Sequence, residues 1–374
     1  MKKYFKRVGI LCLILLIMVS CKNNKAKKSD DTNVLVTTDI REKFEPTDGK
    51  CILFIGQDME AIGGLEDYND GYFDHFDIPG GFTMYTNFRT GDSSPGITYK
   101  GLDGLTTTDN WGSGDCNMQM QIDDPDFKNC ALAIGLELVN HDSITATGGH
   151  DDMILRLGNW IKDLGRRPVF LRIGYEFDAP EWNHYDKEFY KSSFKRIRNK
   201  FDSLGVNNVA YVWQSKGWGT SIEEYYEWYP GDKYVDWCGY SHFAWGVKGG
   251  KTMIDFARKH KKPVFIAEAT PMVFVGDTLP VDCFLDKPEH AKMAVNWFDG
   301  FFKVIHDNPD VVKAISYINI DWYKQAMWAN DPPFKHIDSR IQVSPLITDK
   351  WIKETSDDRY LKASPKLFDQ LWEK

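Results

Sequence analysis

The chain has 374 residues, of which 42% are hydrophobic and 27% are charged. This composition is typical of a globular protein with a large core, and the formal net charge of −8 argues against nucleic acid or a strongly anionic polymer as the main partner. Aromatic residues make up 14% of the chain, which is more than a core needs, and exposed aromatic rings commonly bind flat ligands.

The N-terminal residues predict an export signal. Residues 1–7 are rich in Lys and Arg, residues 8–19 are apolar, and Ser20 precedes Cys21. This order is typical of a secretory signal, and the apolar run is too short for a comfortable transmembrane helix. The segment "MVSC" (18–21) resembles the lipobox of bacterial lipoproteins, which implies a lipid on Cys21. We therefore expect a signal peptide at 1–21 and a lipid-anchored protein at the periplasmic face or cell surface of a Gram-negative bacterium, with an uncleaved anchor as the alternative.

The residues after the signal divide into a tether and one domain. The stretch that follows Cys21 is too charged to pack, and residues 22–45 are predicted to be a polar tether. No internal repeat indicates a second domain, so residues 46–374 are expected to form a single domain. Its tail contains "WIKETSDDRYLKA" and "PKLFDQLWEK", which predict short C-terminal helices that pack on the rest of the domain.

Short apolar segments alternate with amphipathic segments through this domain. Strands are predicted at 51–58, 80–88, 130–138, 168–177, 209–215, 235–243, 263–270 and 312–322. The clearest helices begin at 151, 187, 252 and 290, and several end in Gly or in Lys-Lys-Pro, which are helix stop signals. Eight such alternations predict an α/β protein with the (β/α)8, or TIM barrel, fold. A doubly wound sheet is the alternative, but the turn "GQDMEAIGG" after the first strand lacks the glycine spacing of a phosphate-binding turn.

In a TIM barrel the chemistry lies where strands end and the following loops begin. The candidates at these ends are Gln57, Asp58, Asn87, Glu137, Glu176, Asp178, Trp213, Gln214, Ser241, His242, Glu268, Asn319, Asp321 and Trp322. Glu176 and Glu268 stand out because each lies in an otherwise apolar strand. Residues 90–117, rich in Gly, Ser and Asp, form a long loop that we expect to border the cleft.

Glu176 and Glu268 are predicted to meet at the mouth of the barrel. Period-two alternation places Arg172 and Glu176 on the inward face of the fourth strand. On the seventh strand the predicted inward set is Val264, Ile266 and Glu268. Two carboxylates about 5–5.5 Å apart are the machinery of a retaining glycosidase, and Arg172 could hold one of them ionised. The alternative is that the glutamates are structural, paired with Arg172 or with amide donors.

The order and spacing of these segments resemble glycoside hydrolase family 26, in the clan of retaining (β/α)8 barrel glycosidases. The resemblance is carried by "FIGQD" (54–58), "RPVFLRIGYEF" (167–177), "VAYVWQS" (209–215), "YPGDKYVDWCGYS" (229–241), "KPVFIAEAT" (262–270) and "INIDW" (318–322). The family is best known for endo-β-1,4-mannanases, with some β-1,3-xylanases and mixed-linkage glucanases. The resemblance implies that Glu176 is the acid/base, that Glu268 is the nucleophile and that Trp322 is a stacking platform for the sugar at the cleaved site.

Two positions depart from the family pattern. The family usually has His before its acid/base, where this chain has Tyr175. It also usually has Tyr near the end of the sixth strand to hydrogen-bond the nucleophile, where this chain has Phe243 beside His242. Because these positions shape the site for the cleaved sugar, they bear on the identity of the polysaccharide.

Further substrate contacts are expected from the loop after the fourth strand, whose rings and amides are suited to stack on sugars and to hydrogen-bond their hydroxyls. The predicted substrate-binding residues are Arg172, Trp182, Asn183, Tyr185, Trp213, His242 and Trp322. The loop could instead be a capped turn that leads into the next helix. Trp213, Trp218 and Trp245 could also be core residues, and His242 a hydrogen-bonded core histidine.

The sequence thus predicts a retaining endo-glycosidase that hydrolyses a β-linked polysaccharide, most simply of the mannan or xylan type. No metal-binding or dinucleotide-binding motif is present in the sequence, so no cofactor and no metal are expected, and the protein is expected to be a monomer. Two alternatives are a barrel hydrolase for an unusual algal or sulfated glycan and a non-catalytic lipoprotein that binds glycans.

Overall fold

The structure is a computed structural model that describes residues 41–94, 97–243, 247–274, 281–331 and 333–373. The predicted signal peptide, its lipidation site Cys21, most of the predicted tether and Trp245 lie outside these ranges. Within them, no helix is both long enough and apolar enough to cross a membrane.

Eight parallel strands form a closed barrel. They are β1 (Cys51–Gly56), β2 (Gly81–Asn87), β3 (Ala131–Glu137), β4 (Val169–Ile173), β5 (Val209–Ser215), β6 (Trp237–His242), β7 (Val264–Ala269) and β8 (Val312–Ile318). Each strand pairs with the next one along the chain, and β8 pairs with β1, so the barrel has no open edge. The predicted single-domain (β/α)8 TIM barrel is confirmed.

Helices follow the strands and cover the outside of the barrel. They are α1 (Met59–Ile62), α2 (Tyr72–His75), α3 (Met118–Asp123), α4 (Asp142–Thr147), α5 (Asp151–Asp163), α6 (Lys187–Leu204), α7 (Ile222–Trp228), α8 (Val247–His260), α9 (Pro288–Asp307), α10 (Pro345–Thr355) and α11 (Leu367–Trp372). The four helices that were predicted to begin at 151, 187, 252 and 290 are present as α5, α6, α8 and α9. Helices α5 and α6 begin at the predicted residues, whereas α8 and α9 begin five and two residues earlier. Asp186, for example, caps the first turn of α6 by accepting from two backbone N–H groups, and Gly205 ends this helix in the left-handed conformation with φ 70°.

Very short strands complete the structure. Ser93–Ser94 and Ile97–Thr98 form an antiparallel pair, Cys283–Phe284 pairs with Ile337–Asp338, and Tyr360–Leu361 adds to the start of β1. The predicted C-terminal helices are present as α10 and α11, and both bury apolar side chains against the rest of the domain.

The core has an inner and an outer layer because side chains alternate along each strand. The rings of Phe54, Phe170 and Phe265 fill the inside of the barrel, with centroids 5.0 to 5.9 Å apart. Leu171 and Ile173 of β4 belong instead to the outer cluster beneath the helices. Leu171 and Ile173 therefore face outward, on the opposite side of the strand from Phe170.

The N-terminal end of the barrel is closed by residues that were predicted to lie in the tether. Phe44 is only 2% exposed, and its ring packs against Phe170 of β4 and Trp372 of α11. The indole N–H of Trp237 donates to the carbonyl of Lys43 at 2.7 Å. The predicted boundary at residue 46 is therefore wrong, since the domain already includes residues 43 and 44.

Strand β4 is shorter than predicted, which changes the reason for the position of Glu176. The strand ends at Ile173, and both Gly174 and Glu176 have positive φ angles, of 53° and 52°. A non-glycine residue in this region is uncommon and is found at functional sites more often than elsewhere. A turn, and not strand alternation, therefore directs Glu176.

The inward residues of β7 are also different from those predicted. Phe265 and Ala267 lie in the inner cluster, whereas Val264 and Ile266 lie in the outer one. The pairing with β6 shifts register between Ile266 and Glu268, and such an irregularity re-aims the residue that follows it. Glu268 therefore reaches the barrel interior although Ile266, two residues earlier, faces outward.

Candidate active site

Two carboxyl groups lie together at the C-terminal mouth of the barrel. Glu176 follows β4 and Glu268 lies near the end of β7, and they are 6% and 7% exposed. The charge of Glu268 is one of the causes that raise the pKa of Glu176, after burial, so the two groups interact directly through their charges. The structure thus brings both glutamates to the same mouth of the barrel.

Glu268 is paired with a buried arginine and an amide. The guanidinium of Arg172 forms an ion pair with its Oε1 atom, and the side-chain amide of Gln214 donates to the same oxygen at 3.2 Å. Arg172 Nε in turn donates to Gln214 Oε1 at 2.6 Å. A buried carboxylate that is paired with an arginine and oriented by an amide donor can act as a nucleophile.

Arg172 is completely buried and is fixed by aromatic rings. Its guanidinium carbon lies 5.1 Å from the ring centroid of Tyr85 and 5.2 Å from that of Tyr175. The hydroxyl of Tyr85 accepts from both terminal nitrogens, at 3.4 and 3.5 Å. Arg172 was predicted to contact substrate, but in the structure it supports Glu268 from below.

Glu176 has the opposite environment. Its Oε2 atom accepts a hydrogen bond of 2.9 Å from the indole N–H of Trp182, and its Oε1 atom is buried with no partner in the described part of the chain. Burial, and then the charge of Glu268, raise the pKa of Glu176 to about 8, although Ser241 and Trp182 favour the ionised form. Glu176 is therefore protonated at neutral pH and can act as a general acid.

Two residues predicted to touch substrate instead hold the loop that carries Glu176. The side-chain amide of Asn183 donates to the backbone carbonyls of Tyr175 and Glu176, at 2.9 and 2.8 Å. The hydroxyl of Tyr185 accepts from the backbone N–H of Leu138 at 3.1 Å. These contacts fix the turn and restrict the orientation of its carboxyl group.

Asp178 connects the loops that follow β4 and β5. Its Oδ2 atom accepts from the hydroxyls of Ser215 and Thr220, each at 2.6 Å, and its Oδ1 atom accepts from the backbone N–H of Lys216 at 2.7 Å. The loop with the acid is thereby tied to the loop that carries Lys216 and Trp218.

An exposed aromatic pair stands beside Glu176. Trp182 and Trp218 are 42% and 41% exposed, and their rings are 6.1 Å apart. The ammonium of Lys216 lies 6.0 and 5.8 Å from the two ring centroids. Trp182 therefore lies where it was predicted, next to the acid and open to a sugar ring.

Trp213 and His242 face away from the site. Trp213 is buried in the helix layer, with its ring stacked on Phe177 at 4.3 Å. His242 packs against Trp297 and Phe301 of α9, and its burial lowers the pKa of its imidazole to about 4. The prediction that Trp213 and His242 bind substrate is wrong, because both occupy the outward positions of their strands.

The inward neighbours of these two residues reach the site instead. Ala210 and Val212 of β5 are inner-core residues, so period-two alternation also brings Gln214 inward. On β6 Trp237 is an inner-core residue, and the same alternation brings Ser241, four residues later, to the same face. Gln214 donates to Ser241 Oγ at 3.0 Å. The period-two alternation that was applied to the fourth strand would have identified both.

Trp322 lies at the mouth within an aromatic cluster. It is 2% exposed, its N–H donates to Thr270 Oγ1 at 3.1 Å, and its ring stacks on Phe334 at 4.4 Å. Phe243 contacts it edge-on, with 6.4 Å between centroids. The role of Trp322 as a sugar platform stays a prediction.

The long loop after β2 borders the site, as predicted. Tyr99 and Trp111 of this loop cluster with Tyr85 and with the partly buried Tyr175. Beside them Arg89 pairs with Glu137, the polar residue at the end of β3, at 2.8 Å. Across the described ranges, no group of three or more His, Cys, Asp or Glu side chains could hold a metal ion.

Comparisons with known proteins agree with this geometry. Residues 153–328 match the model of glycosyl hydrolase family 26. The chain is 33% identical over 347 residues to the β-1,3-xylanase TXYA of a Vibrio species, and the match covers 88% of this chain and 69% of that protein. It is 30% identical over 345 residues to a β-1,3-xylanase of an Alcaligenes species, with coverages of 88% and 68%.

Solved structures show the same fold. The GH26 β-mannanase BoMan26A of Bacteroides ovatus superposes with a TM-score of 0.58 at 15% identity, over 87% of this chain and 93% of that one. GH26C of Muricauda sp. MAR_2010_75 gives 0.57 at 16% identity, over 87% and 90%. The barrel with paired carboxyl groups at its mouth defines a glycoside hydrolase. The chain belongs to glycosyl hydrolase family 26, and the predicted family and endo-glycosidase activity on a β-linked polysaccharide are confirmed.

Proposed function

We propose that the protein is an endo-β-1,3-xylanase that acts with retention of configuration. Both curated relatives are β-1,3-xylanases, and each match covers more than two thirds of the relative. Tyr175 and Phe243 also favour a substrate other than mannan. They differ from the pattern of a family best known for mannanases, at positions that shape the site for the cleaved sugar.

The observation that carries the proposed chemistry is the contrast between the two carboxyl groups. Glu268 is paired with Arg172. Glu176 instead has a pKa raised to about 8 by its burial and by the charge of Glu268, and one of its oxygens has no hydrogen-bond partner among the described residues. Environments that separate two carboxyl groups in this way assign the acid to the protonated one and the nucleophile to the ionised one.

In the proposed reaction Glu268 attacks the anomeric carbon while Glu176 protonates the departing glycosidic oxygen. The carbon–oxygen bond of the substrate breaks, and an ester between the sugar and Glu268 forms. Glu176, now ionised, then removes a proton from water, which attacks the same carbon and releases Glu268. Two inversions at one carbon give net retention.

Substrate would extend from this centre along exposed aromatic surface. Trp182 and Trp218 lie on the side of Glu176, where the leaving group departs, and their exposed rings can stack on sugars. Asn183 and Tyr185 contribute by keeping the acid loop in place.

The first experiment measures hydrolysis across a polysaccharide panel with product sizing. The panel contains β-1,3-xylan, β-1,4-xylan, β-1,4-mannan, a mixed-linkage glucan and a sulfated algal glycan. We expect a mixture of oligosaccharides from β-1,3-xylan, which indicates internal cleavage. Activity restricted to another polysaccharide would refute the proposed substrate, and binding without hydrolysis of any of them would favour a non-catalytic lipoprotein.

The second experiment tests the two roles. Glu176→Gln and Glu268→Ala should each reduce turnover by several orders of magnitude while the fold is kept. Glu181→Gln, on the same loop as Glu176 but with a side chain 58% exposed, is the matched control. Azide should give an inverted glycosyl azide with Glu268→Ala, because it attacks once, and a retained one with Glu176→Ala, because it attacks the sugar ester. Substantial residual activity in Glu176→Gln or Glu268→Ala would refute its role.

We also propose that the enzyme is exported, anchored through a lipid on Cys21 and monomeric. The support is the basic and apolar order of residues 1–19 and the "MVSC" junction. In a Gram-negative host, the full chain should incorporate radiolabelled palmitate and enter the membrane fraction, whereas Cys21→Ser should do neither. Incorporation of palmitate by Cys21→Ser would refute this lipidation site. Light scattering of the enzyme truncated to start at residue 41, in the absence of detergent, should give the mass of a monomer.

A further inference from the structure

Gln214 lies at the centre of the site, although it takes no part in the proton transfers or the nucleophilic attack of the proposed reaction. It is fully buried at the end of β5 and makes three side-chain contacts. Its Oε1 atom accepts from Arg172 Nε at 2.6 Å, and its amide nitrogen donates to Glu268 Oε1 at 3.2 Å and to Ser241 Oγ at 3.0 Å. One side chain therefore joins the arginine, the proposed nucleophile and the hydroxyl of Ser241.

The contact with Glu268 has a defined direction. Arg172 and Gln214 both donate to Oε1, so these two donors fix the orientation of the carboxylate without using Oε2. The sixth strand offers no comparable donor at residue 243, because a phenylalanine ring has no hydroxyl. Phe243 packs instead against Trp322 and Phe334, with centroids 6.4 and 5.7 Å away.

We propose that Gln214 is the positioning residue for the nucleophile, and that it orients Glu268 together with Arg172 in place of a donor from residue 243. A side-chain amide is suited to this task because it is neutral and carries an acceptor and a donor on one planar group. It can therefore accept from the guanidinium and donate to the carboxylate at the same time. Its remaining N–H donates to Ser241 Oγ, which fixes the plane of the amide.

Two substitutions separate the parts of this role. Gln214→Met keeps the length of the side chain and removes both the donor and the acceptor. Gln214→Glu keeps an acceptor for Arg172, but it replaces the donor with a second negative charge. A melting curve for each variant identifies those that fold. Gln121→Met is the matched control, since Gln121 of α3 is equally buried and its amide donates to the backbone carbonyl of Gly63 at the end of α1, outside the site.

The experiment measures kcat, KM and the pH dependence of kcat/KM on whichever polysaccharide the wild-type enzyme hydrolyses. A hydrogen bond to a charged group is worth roughly 10- to 100-fold in an equilibrium constant. We expect kcat of the Gln214 variants to fall by about this factor with KM changed less than about threefold. The acidic limb of the profile should move to higher pH, further for Gln214→Glu than for Gln214→Met. Gln121→Met should leave the limb unchanged whatever its effect on melting temperature.

Two results would overturn the proposal. One is a kcat/KM within about threefold of wild type and an unmoved acidic limb in the Gln214 variants that fold. The other is a loss in Gln121→Met that matches theirs, which would indicate general destabilisation. The inference rests on Glu268 as the nucleophile, and the two can fail separately. An active Glu268→Ala variant refutes the assignment of Glu268 as the nucleophile. An inactive Glu268→Ala variant, together with Gln214 variants whose kinetics equal those of the wild-type enzyme, refutes only the positioning role of Gln214.

Discussion

The hydrogen bond from Trp182 to Glu176 should set the upper pH limit of activity. The indole N–H of Trp182 donates to Glu176 Oε2 at 2.9 Å, and this bond favours the ionised carboxyl group. Burial and the charge of Glu268 nevertheless raise the pKa of Glu176 to about 8. In Trp182→Phe the aromatic ring stays and the N–H is lost. The pKa of Glu176 should therefore rise further, and the alkaline limb of kcat/KM should move to higher pH.

The size of this movement follows from the exposure of the donor. A hydrogen bond to a charged group contributes roughly 1.5–3 kcal/mol when both partners are buried. Trp182 is 42% exposed, so a water molecule can replace part of the lost hydrogen bond. The net loss of stabilisation of the ionised carboxyl group is then about 1 kcal/mol. Because one pH unit corresponds to about 1.4 kcal/mol, we expect a movement of about 0.7 of a pH unit.

The assay measures reducing-end release from about pH 5 to 10, with kcat and KM determined at each pH. Trp218→Phe removes the N–H of the neighbouring exposed ring and is the matched control, for which the alkaline limb should stay in place. A Trp182→Phe limb that stays where it is in the wild type, or moves to lower pH, would refute the role of this hydrogen bond. A rise in KM alone would mean that Trp182 acts only as a sugar platform.

Three further predictions concern stability and can be checked by urea unfolding and melting temperature. Arg172→Met leaves the carboxylate of Glu268 buried without its counter-ion, and should destabilise the fold by about 3–5 kcal/mol as well as inactivate the enzyme. Phe44→Ala should cost about 3–5 kcal/mol at the opposite end of the barrel and leave kcat unchanged at low temperature, so a large loss of kcat there would contradict the separation of the two ends. Asp178→Asn should destabilise the fold by about 1–3 kcal/mol. One oxygen of Asp178 accepts from Thr220 and the other from the backbone N–H of Lys216, and an amide keeps only one of these two acceptors. No measurable change in Asp178→Asn would contradict the role of Asp178 in tying the two loops.

The barrel could be predicted because its pattern is repeated eight times. Each strand contains a short apolar run, and several of the long helices between the strands carry their own start or stop signals. Single errors in a boundary, such as the tether assigned through residue 45, do not alter such a repeated pattern. Phe44 was missed because an isolated aromatic residue in a polar stretch carries no periodic signal.

The site was predicted correctly where local alternation decides orientation, and wrongly where alternation was not applied. Arg172 follows Phe170 into the barrel, as expected of positions two apart. Trp213 and His242 were selected for their chemistry, although the residues two before them face outward. Gln214 and Ser241, which the same rule brings inward, were left among the strand-end candidates.

The family, the barrel and the two glutamates at its mouth could be predicted from the amino-acid sequence, because these depend on local composition and on a spacing that is repeated along the chain. The orientation of the glutamates could not, because it is set by tertiary contacts. Glu268 turns inward through a register shift against β6, and Glu176 is aimed by a turn with positive φ that Asn183 holds by its backbone carbonyls. Both depend on contacts between segments distant in sequence, and so does the assignment of acid and nucleophile, since the burial of one carboxyl group and the ion pair of the other exist only once the barrel has closed.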